Sequence, residues 1–63
     1  MAKDEDRAKV RLLTIPDVAD ICVVSTKTVR RWIQSGELPA IRLGRQWRIV
    51  PKDLARFIRD NRS

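Results

Sequence analysis

The sequence predicts a mainly α fold with a small β-hairpin: three helices plus a two-stranded antiparallel element. Three observations predict it. Apolar residues recur at helical spacing near residues 15–22, 26–35 and 51–58. Between residues 41 and 49 the period changes from 3.6 to 2. Cap or breaker residues, Thr14, Ser25, Gly36 and Pro51, stand at the boundaries of these segments.

The 63-residue chain allows one domain with a small core, because a chain of about 60 residues buries only ~60% of the surface its unfolded form exposes. Residues 1–11, MAKDEDRAKVR, alternate charge sign and hold little to bury, so they read as a disordered or flexible arm. The domain is expected over residues 12–60, with a frayed tail at 61–63. No apolar run is long enough to span a membrane and no signal-peptide core follows Met1, so the expectation is a cytoplasmic, nucleoid-associated protein. Cys22 is the single cysteine and histidine is absent, which excludes an internal disulfide and leaves a structural zinc site short of ligands. No cofactor is expected, and stability must come from packing.

The first helix is expected from about Ile15 to Cys22. Thr14 suits its N-cap, Pro16 its first turn, and Asp17 completes an approximate capping box with Asp in place of Glu. Val18, Ala19, Ile21 and Cys22 are placed on its buried face, with Asp17 and Asp20 outside. Cys22 reads as a small buried hydrophobe. Val23 and Val24 break the pattern, Ser25 is a good N-cap, and a second helix is expected from Thr26 to Ser35, stopped by Gly36. On it Val29, Trp32 and Ile33 share the inward face. At about 100° per residue, Lys27, Arg30, Arg31 and Gln34 fall on the opposite side, flanked by Thr26 and Thr28. Two short helices joined by a tight turn, the second with a basic outer face, make a helix-turn-helix arrangement.

In the stretch AIRLGRQWRIV, Ile41 and Leu43 alternate with Arg42, and Trp47 and Ile49 alternate with Arg48. A three-residue loop, Gly44-Arg45-Gln46, pairs apolar with apolar: Leu43 with Trp47 and Ile41 with Ile49. It also faces Arg42 with Arg48, a repulsion that an anion between them would relieve. The third helix opens at Pro51, with Leu54, Phe57 and Ile58 as its buried stripe and Arg56 and Arg59 off it.

Charge points to a partner. Fourteen Lys and Arg stand against eight acids, and residues 25–48 alone carry six bases and one acid. A run of charge by itself is usually a solvated face, but a basic excess concentrated on one helix and one hairpin suits a polyanion. Catalysis is not expected: there is no histidine, no nucleophile beside a base, no glycine-rich phosphate loop and no metal cluster. A domain of this size is also expected to lack a concave substrate pocket. For duplex DNA the parts fit. An α-helix enters the major groove, where Lys27, Arg30 and Arg31 are candidates for guanine or phosphate and Gln34 for adenine. Ser25, Thr26 and Thr28 offer hydroxyls at the helix start. Arg45, between Gly44 and Gln46 at the hairpin tip, is placed for the neighbouring minor groove, with Arg42 and Arg48 on the strands. Trp32, Trp47 and Phe57 fall on core-facing positions, which disfavours RNA recognition by exposed stacking.

Residues 12–58 carry three ordered motifs: S-x-x-T-V-x-R-W-I-x-x-G-x-L-P-A from Ser25, R-x-G-R-x-W-R-I from Arg42, and D-L-x-x-F-I from Asp53. Together they resemble the small MerR-like winged helix-turn-helix DNA-binding domains of the excisionase, or recombination directionality factor, family, with AlpA-like and BldC-like regulators as relatives. The resemblance implies that the helix from Thr26 enters the major groove with Lys27, Thr28, Arg30 and Arg31. It implies that a wing carrying Arg42, Arg45 and Arg48 meets the minor groove and backbone. Similar proteins bind tandem sites cooperatively, bend double-stranded DNA and direct a site-specific integrase towards excision; neighbouring copies meet head to tail. Others act at promoters, so a small transcriptional regulator is the alternative. Unlike MerR regulators proper, no coiled-coil dimerisation helix or effector domain follows the wing here. A third reading, a protein-interaction module with its basic face on an acidic partner, would differ by a flat response to salt.

Overall fold

The computed structural model describes residues 11–62 and runs α1 (Ile15–Cys22), α2 (Thr26–Gln34), β1 (Ile41–Leu43), β2 (Gln46–Arg48) and α3 (Pro51–Asp60). Apart from Arg11, the arm expected at residues 1–11 lies outside the described residues.

The start of α1 is fixed by a reciprocal cap. The Asp17 backbone N–H donates to Thr14 Oγ1 at 3.1 Å, and the Thr14 N–H donates to Asp17 Oδ2 at 3.0 Å. Both bonds of a capping box are therefore made with Asp at the third helical position. The buried face of α1 is Ile15, Val18 and Ala19, with Cys22 half-buried. Ile21, expected on that face, is 53% exposed. The inward stripe begins three residues, or about one turn, earlier than the spacing suggested. With Ile15 as its first member, positions 15, 18, 19 and 22 cluster, and Ile21 falls about 100° away.

The helix ends in a Schellman arrangement. The Val24 N–H donates to the Ala19 carbonyl at 2.9 Å and the Val23 N–H to the Asp20 carbonyl at 3.3 Å. This requires a left-handed residue, and Val23 supplies it at φ 56°, ψ 53°. Ser25 then caps α2, its Oγ accepting from the Thr28 N–H at 3.1 Å. The second helix stops one residue short of the expected Ser35, which is its C-cap, and Gly36 follows at φ 85°. The Glu37 and Leu38 N–H groups both donate to the Trp32 carbonyl, at 3.0 and 3.1 Å. That turn folds Leu38 back into the core, where it is 1% exposed.

The hairpin register differs from the one the apolar pattern predicts. Ile41 pairs with Arg48, Arg42 with Trp47 and Leu43 with Gln46, so the loop is the two residues Gly44 and Arg45. The reason lies in the turn. Gly44 has φ 64° and Arg45 is not left-handed, the combination of a two-residue turn with glycine at its first central position. A three-residue loop would instead have asked Gln46 to turn left-handed. Ile41 and Leu43 consequently stay 41% and 50% exposed. Arg42 does not face Arg48, and the repulsion argument for an anion between them lapses. The Arg42 guanidinium instead lies 5.3 Å from the Trp47 ring centroid, a favourable cation–π distance.

Beyond the hairpin, Ile49 forms a two-way bridge with Leu13: each N–H donates to the other's carbonyl at 2.8 Å. Pro51 then opens α3, whose Val50 cap supplies no side-chain hydrogen bond. Pro51, at the first helical position, has no N–H to leave unpaired there. Leu54 and Phe57 are buried, while Ile58, expected with them, sits at the rim and is 40% exposed. Phe57 meets Trp32 of α2 at a centroid distance of 4.8 Å and a 47° tilt. Asn61 closes the helix, its side-chain amide donating to the Phe57 carbonyl at 2.8 Å. The core comprises Ile15, Val18, Ala19, Val29, Leu38, Ile49, Leu54 and Phe57, and among the described residues no polar side chain is buried.

Val23 is 87% exposed and carries the left-handed conformation that costs a non-glycine residue about 1 to 2 kcal/mol. Val23→Gly should raise stability by up to about 1 kcal/mol, the strain relief outweighing the extra freedom glycine gives the unfolded chain. A lower thermal midpoint for the variant would show that the valine side chain makes stabilising contacts. A second expectation concerns acid. The Asp17 carboxyl is held below the ordinary aspartate range, first by the Thr14 backbone N–H and side chain, then by the charges of Arg48 and Arg11. A depressed folded pKa means that the unfolded chain takes up the proton first as pH falls. This contribution is complete above the ordinary aspartate pKa and is lost as pH drops through the lowered one. Asp17→Asn should be less stable at neutral pH, with the gap to the wild type closing on acidification; a constant gap in urea melts would sink the assignment.

Candidate nucleic-acid interface

The Leu13–Ile49 bridge sets the head of α1 beside β2, and α2 packs against α1. Between these three elements lies an open cleft of about 540 Å³. Its walls are Thr14 to Pro16 from the start of α1, Arg30 and Gln34 from α2, and Arg45 to Arg48 from the hairpin. The cleft is open to solvent and does not enclose a substrate-sized pocket. Three arginines and no carboxylate line the cleft, so it favours an anion and offers no acid–base pair for catalysis.

The second helix presents the face its spacing predicts. Lys27, Arg30, Arg31 and Gln34 are exposed, opposite the buried Val29. The cleft divides them, because Arg30 and Gln34 face the hairpin side while Lys27 and Arg31 do not line it. The hydroxyls at the helix start are less available than the sequence suggests. Ser25 Oγ and Thr28 Oγ1 lie 3.0 Å apart, and Ser25 Oγ also accepts the Thr28 N–H. One of the two hydroxyl protons is used within the pair, which leaves one for an outside acceptor. Thr26 is exposed at the first position of the helix.

On the hairpin, Gly44 and the exposed Arg45 form the tip. Arg42 is exposed but drawn over Trp47. Arg48 is half-buried and held at two points: its Nη1 donates to the Trp47 carbonyl at 2.9 Å and its Nη2 to Gln46 Oε1 at 2.6 Å. Thr14, Ile15, Pro16 and Trp47 also line the cleft and were not candidates from sequence. The capping box marked Thr14 as a helix start, but only the pairing of Leu13 with Ile49, 36 residues apart in the chain, brings it against the hairpin.

Three helices and a two-stranded hairpin in this order form a winged helix-turn-helix, with the hairpin as the wing. Comparison with known proteins agrees. A family model described as a helix-turn-helix domain matches residues 12–62. A protein of Mycobacterium tuberculosis, found in two strains and named as a candidate DNA-binding protein, is 48% identical over 46 residues, 73% of this chain and 59% of the relative. The chain therefore spans less than two thirds of the length of those relatives. The excisionase of Mycobacterium phage D29 is 50% identical over 40 residues, 64% of this chain and 71% of the phage protein. No solved structure matches at a significant level. No helix among the described residues is long and apolar enough to cross a membrane. With residues 12–62 matched and the winged architecture in place, the chain belongs to the helix-turn-helix domain family.

Proposed function

We propose that the chain is an excisionase-like architectural factor that binds specific sites on double-stranded DNA without a catalytic step. In this reading α2 lies in the major groove, with Lys27, Arg30, Arg31 and Gln34 towards base edges and phosphates and Thr26, Thr28 and the Ser25 cap at the backbone. The wing crosses to the neighbouring minor groove: Arg45 enters it, and Arg42, Gln46, Arg48 and the Gly44 backbone follow the phosphates. The observation that carries the reading is the placement of cations from two elements, Arg30 on α2 and Arg45 and Arg48 on the wing, around one solvent-open cleft. A helix about 10 to 12 Å across also suits a major groove about 12 Å wide.

The half identity with the D29 excisionase over most of that protein supports the architectural role. In it, copies bind adjacent sites cooperatively and head to tail, the bent DNA favours excision by a site-specific integrase, and the protein works in the nucleoid. In this reading residues 12–60 are the DNA-binding unit, and the contacts between neighbours are made by residues 1–11 or 59–63.

Site selection from a random duplex pool, followed by footprinting at rising protein concentration, tests this. Closely spaced direct repeats that fill cooperatively are expected. A single inverted repeat would instead indicate a promoter regulator using the same surface, and no enrichment would overturn specific DNA recognition. Arg31→Ala should weaken binding to the selected site severalfold while changing stability by less than about 0.5 kcal/mol, as exposed substitutions do. Retained affinity with a large loss of stability would mean that α2 presents another face.

A further inference from the structure

We propose that Gln46 is a positioning residue: it holds the Arg48 guanidinium in the cleft for a DNA phosphate and acts on DNA only through Arg48. The inference rests on the duplex-DNA reading above and revises one assignment within it: Gln46 supports Arg48 instead of following the phosphates itself.

Residues two apart on a strand project to the same side, and here Gln46 and Arg48 make a 2.6 Å hydrogen bond along β2. With the second bond to the Trp47 carbonyl, Arg48 is held at both terminal nitrogens. A guanidinium has five N–H donors, so these two bonds leave three for an incoming ligand. Phosphate, like carboxylate, matches a planar fork of donors, and phosphate is the one that duplex DNA presents.

The identity of the acceptors matters. Both Gln46 Oε1 and the Trp47 carbonyl are neutral, so they orient the guanidinium without cancelling its charge. A glutamate at position 46 would hold it equally well and neutralise it. The Asp17 carboxylate, whose charge Arg48 feels, is bonded to the Thr14 N–H within the capping box and not to the guanidinium. Arg48 is also half-buried and carried by a strand, whereas Arg45 is exposed at the tip of the turn. A side chain already fixed loses less freedom on binding than a mobile one. Arg48 is therefore the wing cation built for a fixed phosphate, and Gln46 is what fixes it.

The test uses the full chain and a short mixed-sequence DNA duplex, since a phosphate contact is independent of sequence. Affinity is measured by fluorescence anisotropy across a series of salt concentrations, with thermal melts of each variant alongside. Wild-type binding that weakens steeply with salt is the precondition; its absence would sink the DNA reading itself and this inference with it. Given that binding, Arg48→Ala should reduce the log-log salt slope by about 0.9, the signature of one lost phosphate contact. Gln46→Ala should weaken binding about two- to tenfold at an unchanged slope, because the charge remains. Gln46→Glu should lower the slope as Arg48→Ala does. The deciding comparison is the double variant: Gln46→Ala made in the Arg48→Ala background should cost no further affinity. A persistent cost there would show that Gln46 touches DNA itself, and wild-type affinity for Gln46→Ala would show that Arg48 needs no holding. Either result overturns the proposal while leaving the DNA reading intact.

Discussion

The fold turns on one long-range pairing, the bridge between Leu13 and Ile49. Two backbone hydrogen bonds of 2.8 Å are individually modest, about 0.5 to 1.5 kcal/mol each. Their position gives them weight. They join the start of the domain to the far end of the wing, and Ile49 itself is fully buried. Without them the wing would be an isolated two-stranded hairpin, which is marginal in water. With them β2 becomes the wall of a cleft whose other walls are the head of α1 and the outer side of α2. The same tie brings Arg48 close enough to Asp17 for its charge to be felt by that carboxyl. Cap, core and binding surface thus meet at one corner of the molecule.

A second constraint is the scarcity of core. Eight buried apolar residues, with no buried polar side chain among the described residues, hold the three helices and the wing together. Half-buried Trp32 and Trp47 extend that core outward. Trp32 does so by tilting against Phe57, and Trp47 by lying between the core and the Arg42 guanidinium. An aromatic in this position serves both sides: one face covers apolar atoms while the other steadies a cation. The cations themselves stay outside, so substitutions on the binding face and substitutions in the core act on separable properties.

What was legible in the sequence follows the range of the interaction. Contacts within one helical turn could be read directly. The Thr14–Asp17 box, the Ser25 cap and the Gly36 stop are each set by residues at most three apart, and the exposed face of α2 follows from its period alone. The wing register does not follow from apolar pairing, because turn chemistry outweighs it in so short a hairpin. Gly44 at the first loop position was the better signal, since it fixes the turn before any side chain packs. The stripe on α1 differs for another reason: the buried set takes in Ile15, and with it Ile21 falls off the inward face. The cleft was out of reach for a different reason. Its walls come from residues 14–16, 30–34 and 45–48, and no local pattern states that these meet.

The two cationic surfaces beside that cleft are held by different means. On α2 the backbone does the positioning: a capped helix fixes where Lys27, Arg30 and Arg31 start, and their long side chains remain free to adjust at an outer surface. On the wing the backbone is a three-residue strand pairing, too short to fix much, and the positioning of Arg48 falls to side-chain and carbonyl acceptors. Adjustable side chains on a rigid rod suit base edges, which vary from site to site. A fixed guanidinium suits the phosphate backbone, which does not vary in charge. In the proposed reading, the division of recognition between helix and wing follows from which part of each element, backbone or side chain, carries the rigidity.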